Sequence, residues 1–126
     1  ACERLLHELG LSQRRDERAD TLSYPEQRAL ELGLAVAGGA DTLLLDEPMA
    51  GMSHTETTAA LDLIMRVTEG RTLLMVEHDM GVIFDMADRI SVLVYGEIIA
   101  TGTPEEIRAN EAVQEAYLGT SREKAA

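Results

Sequence analysis

Two short aliphatic runs stand out from the polar background of this chain, Thr42-Leu43-Leu44-Leu45 and Thr72-Leu73-Leu74-Met75-Val76. Continuous apolar runs of that length predict strands buried on both faces, as in a parallel sheet. Between them, Leu61, Ile64 and Met65 recur at helical spacing behind Ser53-His54-Thr55-Glu56, and Gly70 marks a stop. Serine with glutamate three residues on is a capping box, in which each side chain satisfies an orphan amide at the helix start. The predicted unit is a strand, a helix to about Glu69, and a second strand. Upstream, Leu5, Leu6 and Leu9 share one face of a short helix from Glu3 to Gly10, followed by a charged, solvated link from Gln13 to Asp20. Ser23 and Glu26 repeat the cap spacing, Pro25 suits a first turn, and the apolar run Ala29 to Ala37 ends at Gly38-Gly39. Downstream, Asp79 to Ala87 predicts a helix packing Val82, Ile83 and Met86 on the sheet. Arg89 to Tyr95 and Glu97 to Thr101 predict a hairpin turning at Tyr95-Gly96-Glu97, and Thr103-Pro104-Glu105-Glu106 opens a last helix. The pattern as a whole predicts a three-layered α/β fold with a mostly parallel sheet, a terminal hairpin and a C-terminal helix.

Composition narrows the class of molecule. At 126 residues and 45% hydrophobic content the chain suffices for one domain-sized core. Its net charge of −12, with no basic stripe, argues against a nucleic-acid partner. Cys2 is the single cysteine, so no intrachain disulfide forms and a reducing compartment is expected. The sequence has no apolar run of membrane-spanning length and no signal-peptide pattern, so membrane association is expected to come through a partner. The start at Ala1 is that expected of a piece of a longer product.

The chemistry concentrates where the two predicted strands end. Asp46 and Glu47 follow the first run directly, at the carboxyl edge where open α/β sheets place their ligands. Asp46 is placed to serve Mg²⁺, and Glu47 to take a proton from a water attacking a phosphate. The plain alternative is a pair of solvated turn residues. The second run delivers His78 to the same edge, where it is either catalytic or structural. Ser23, beside a helix N-terminus, either caps that helix or helps hold an anion there.

In order and spacing, these segments resemble the C-terminal half of an ATP-binding-cassette transporter ATPase, from about Leu11 to Gly119. By that resemblance Ser23, Tyr24, Pro25, Glu26 and Gln27 match the signature loop, and Leu43 to Glu47 match the Walker B strand. Ala50-Gly51-Met52-Ser53 match the D-loop, and His78 the switch histidine. The resemblance implies ATP and Mg²⁺ as cofactors. Asp46 would serve the metal, Glu47 would activate the water, His78 would contact the γ-phosphate, and Ser23 would reach nucleotide held by the opposite subunit of a dimer. Val76-Glu77-His78-Asp79-Met80, Ala87-Asp88-Arg89-Ile90, Ile99-Ala100-Thr101-Gly102-Thr103-Pro104 and Ala116-Tyr117-Leu118-Gly119 resemble branched-chain amino acid importer ATPases most. The implied partners are a second ATPase subunit, transmembrane permeases and, indirectly, a solute-binding protein. The implied location is peripheral, on the cytoplasmic face of the plasma (inner) membrane.

Two departures qualify the resemblance. In the signature, Tyr24 and Pro25 stand where the family usually has two glycines, and Glu26 where it has glutamine. Proline has no amide hydrogen to offer an anion and Glu26 adds negative charge, so weaker closure over nucleotide is expected. More consequential, no Gly-x-x-x-x-Gly-Lys-Ser/Thr loop occurs, and the single lysine, Lys124, is third from the end. Such a loop supplies the amides and lysine that hold the β- and γ-phosphates. The domain expectation is therefore residues 1–126 as the later half of one nucleotide-binding domain, inactive alone. Residues 1–39 would end its helical subdomain, and 40–126 would carry Walker B, D-loop, switch histidine and tail. A non-catalytic truncated interaction module, or the ATPase head of a DNA-maintenance protein, are the alternatives. The second would call for heptads and a basic surface that the chain lacks.

Overall fold

In the computed structural model, which describes residues 1–117, the chain divides into two compact units, Ala1–His78 and Asp79–Ala126. The first begins with α1 (Cys2–Glu8), whose following residue Leu9 is buried beneath α2 (Tyr24–Ala37). Gly33 permits that approach, because a Cβ there would run into Leu9 Cδ1. The charged link is exposed but ordered, with 3₁₀ turns at Ser12–Arg14 and Ala19–Thr21. Its arginines find carboxylates: Arg15 to Glu3 at 2.7 Å, Arg14 to Glu17 at 2.9 Å, and Arg18 to Asp20 at 2.7 Å. Helix α2 carries the capping box that Ser23 and Glu26 predict, with Gly38 as its C-cap and Gly39 at φ +72° beyond it.

Strands β1 (Thr42–Asp46) and β2 (Thr72–Val76) pair in parallel, from Thr42 opposite Thr72 to Asp46 opposite Val76. Helix α3 (His54–Val67) makes the crossover, opened by the second capping box and ending two residues before Glu69. The unit's core gathers Leu9, Leu11, Leu32, Leu43, Met49, Ile64 and Val67, with Thr68 buried because its hydroxyl bonds Ile64 O at 2.6 Å. Two expectations need correction. Met65, expected to face inward, is exposed, and Val67 takes the inward position instead. The strands are also not buried on both faces, since Leu43 is 4% exposed but its neighbour Leu44 is 74% exposed. Leu44 lines a cavity of about 570 Å³ bounded by α2, α3 and β1, which leaves it open to solvent.

The second unit opens with α4 (Met80–Met86), capped by Asp79 Oδ1, which accepts from the amides of Gly81 and Val82 at 2.9 and 3.3 Å. Strands β3 (Ile90–Val94) and β4 (Glu97–Gly102) form the predicted antiparallel hairpin. Tyr95 and Gly96, at φ +48° and +83°, make the two-residue turn, and a register shift after Val92 marks a bulge. Helix α5 (Pro104–Ala109) starts with the third capping box, Thr103 with Glu106, and residues 111–117 are helical. Ile90, Ile107 and Val113 form this unit's core, against which Ile83, Phe84, Ala87, Val92 and Ala100 pack. Leu118 and Gly119 of the tail pattern lie outside the described residues.

Candidate functional site

The parallel pairing brings the carboxylate strand and the histidine strand to one edge. Beyond the last register pair, the Glu47 amide donates to Val76 O at 2.8 Å, so the ladder carries one residue past β1. Glu47 is thereby held beside Glu77 and His78, and its Oε1 lies 3.0 Å from His78 Nδ1. Both side chains are solvent-accessible, His78 more so. The Glu47 backbone sits at φ +43°, which costs a non-glycine residue of order 1 kcal/mol or more. The following Pro48 adds its own restriction, favouring extended backbone at position 47. A glutamate kept in that conformation is held there by its surroundings, and the ladder bond together with the Ala50 amide on Glu47 O at 3.1 Å does the holding.

Asp46 is exposed at the end of β1. Among the described residues no group of three or more His, Cys, Asp or Glu side chains converges as a metal site. Mg²⁺ keeps several waters and takes one or two carboxylates plus substrate phosphates. Asp46 therefore fits as a single protein ligand, with the remaining positions left to phosphate oxygens and water.

At the start of α2, Ser23, Glu26 and Gln27 are engaged locally, whereas Tyr24 reaches outside the segment. Ser23 Oγ accepts from the Glu26 amide at 3.4 Å while Glu26 Oε2 accepts from the Ser23 amide at 2.9 Å. Glu26 Oε1 also takes Arg14 Nε at 3.1 Å. The Ser23 amide, then the Ser23 hydroxyl and Arg14, hold the Glu26 carboxyl below its ordinary range. Gln27 turns its amide to Leu22 O at 3.1 Å, and Pro25 has no amide hydrogen to give. Ala50, Gly51 at φ +79°, Met52 and Ser53 form the turn between Glu47 and α3, where Ser53 Oγ caps the helix through the Glu56 amide. Sequence reasoning placed Tyr24 in the signature segment but missed that it links these two regions. Tyr24 donates its hydroxyl to Ala50 O at 2.8 Å, and the only hint in the sequence is Arg28 four residues on, whose Nε donates to that hydroxyl at 3.1 Å.

A family profile described as branched-chain amino acid ATP-binding cassette transporter matches residues 97–123. LivG of Salmonella typhimurium, a high-affinity branched-chain amino acid transport ATP-binding protein, is 40% identical over 116 residues, or 90% of this chain and 46% of LivG. BraF of Pseudomonas aeruginosa, of the same description, matches with the same identity and coverage. MJ1267, an ATP-binding cassette of an ABC transporter, superposes with a TM-score of 0.80 at 26% identity, over 91% of this chain and 47% of that one. The chain matches the C-terminal half of ATP-binding-cassette ATPases. It spans about half the length of the curated relatives it matches. Among the described residues, no helix of the chain is long and apolar enough to cross a membrane.

Proposed function

We propose that this chain supplies the water-activating and signature elements of an ATPase that energises membrane import, with branched-chain amino acids as the cargo class. The observation that carries the reading is the Glu47 to His78 contact of 3.0 Å at the carboxyl edge of two parallel strands. Bound Mg²⁺ would polarise the terminal phosphate and offset its charge. Asp46 holds the metal, Glu47 takes the proton of the attacking water, and His78 orients Glu47 and meets the γ-phosphate. Ser23 reaches nucleotide on a second subunit, and Ala50 to Ser53 line the same junction. Residues 1–39 end the helical subdomain and 40–126 carry the catalytic edge and tail of one nucleotide-binding domain. The cargo class rests on the relatives LivG and BraF and on the match at residues 97–123. Permease subunits are the membrane partners, a solute-binding protein acts upstream of them, and the chain sits at the cytoplasmic face of the inner membrane.

Because the sequence contains no Gly-x-x-x-x-Gly-Lys-Ser/Thr loop, residues 1–126 alone neither hold nor hydrolyse Mg²⁺-ATP in this reading. The test joins the chain to a half-domain bearing such a loop and measures phosphate release. Turnover should appear, and Glu47→Gln should lower it by about 10²-fold or more with nucleotide binding kept. A folded fusion that binds Mg²⁺-ATP and turns over no faster than Glu47→Gln would leave the chain a non-catalytic interaction module.

A further inference from the structure

We infer that Tyr24 is a positioning residue that ties the start of α2 to the turn carrying Glu47. Its hydroxyl donates to Ala50 O at 2.8 Å, across 26 positions of sequence. The same oxygen accepts from Arg28 Nε at 3.1 Å, and a phenol oxygen that accepts from a cation is a stronger donor in turn. The Arg28 guanidinium stands 5.4 Å from the Tyr24 ring centroid and is fixed by Glu31 at 2.9 Å, so the ring has little freedom to swing away. Gly51 lies beside the ring, where an added Cβ would sit 3.9 Å from Tyr24 Cε1.

The tether continues to the candidate catalytic pair. Ala50, whose carbonyl Tyr24 holds, donates its own amide to Glu47 O at 3.1 Å, and Glu47 Oε1 meets His78 Nδ1 at 3.0 Å. Glu47 occupies an unfavourable backbone conformation at φ +43°, so a constraint on the turn has a direct consequence for where its carboxylate points. A displacement of the signature segment is thus transmitted through one hydroxyl to the carboxylate and histidine. In this role Tyr24 acts through Ala50 and the turn. Its importance for hydrolysis rests on the proposed role of Glu47, but its positioning of the turn does not.

The test uses the 126-residue chain without nucleotide. Tyr24→Phe removes the hydroxyl and keeps the ring. Amide exchange by NMR should show the Ala50 amide exchanging about two- to tenfold faster, the range expected for losing one net hydrogen bond, while the amides of Leu43 and Ile64 are unchanged. The His78 ring ¹⁵N resonances, assigned with His78→Gln, should shift. Arg28→Gln should move both signals in the same direction by less. A folded Tyr24→Phe chain with unchanged Ala50 exchange and His78 resonances would overturn the inference, as would a uniform rise in exchange that includes Ile64. Absence of Glu47-dependent turnover in the fusion would remove the ATPase reading and leave these resonance shifts standing.

Discussion

At the scale of single residues, the start of α2 shows one side chain serving two demands. Glu26 closes the capping box on Ser23 and pairs with Arg14 at 3.1 Å. Its folded carboxyl lies below the unfolded value, so the folded state binds fewer protons there. The stabilisation is therefore complete above the ordinary glutamate value of about 4.3, and is lost as pH falls through it and then through the lower folded value. Glu26→Gln keeps a hydrogen-bonding group but removes the charge. Thermal melts of the two chains should differ at neutral pH and converge as the pH falls below the lowered folded value of the Glu26 carboxyl, whereas a pH-independent gap would show that the charge contributes nothing. The cap spacing was readable in the sequence. The Arg14 contact was not, because it depends on how the 3₁₀ turns fold the link back, and a charge run carries no signal of that path.

Secondary-structure elements follow the sequence wherever a local rule decides them. All three capping boxes, the end of α2 at paired glycines and the Tyr95-Gly96 turn arise within a few residues of chain. Ser53→Ala should accordingly cost about 1 kcal/mol by chemical denaturation, since α3 loses the acceptor for its Glu56 amide. Long-range packing was less legible. The helical period allowed Met65 inside, but Val67 occupies that side, because the apolar stripe on α3 is wide enough to be rotated by its neighbours. Gly33 reads as a weak spot in a helix, and it is the place where Leu9 packs on α2. Gly33→Ala should lower stability by about 1 to 3 kcal/mol despite the better helix propensity of alanine, through overpacking against Leu9. A more stable Gly33→Ala chain would mean that Leu9 moves aside freely. The candidate pair itself was legible, since two aliphatic runs ending in Asp46-Glu47 and Glu77-His78 need only parallel pairing in register to meet.

At the scale of the whole molecule, net charge and uncovered apolar surface oppose each other. Leu44, Leu74 and Val76 are all exposed on strands that the sequence pattern would bury, and in the hairpin unit Leu93 and Ile98 are exposed as well. Such surface favours self-association, as do unpaired strand edges. Against it stands a net charge of −12, which makes two copies repel. Salt decides the balance, because the screening length falls from about 30 Å at 0.01 M to about 3 Å at 1 M, whereas apolar burial is not weakened by sodium chloride to that degree. Sedimentation velocity should therefore show monomer at about 0.01 M salt and reversible association at about 1 M. Replacing Leu44 and Leu74 by glutamine removes apolar surface without changing the charge, so the double variant should stay monomeric across the range. Association that persists undiminished in that variant would assign it to the exposed face of the hairpin, and a wild-type chain that stays monomeric at 1 M would show that the bare strand face is too small to hold two copies together.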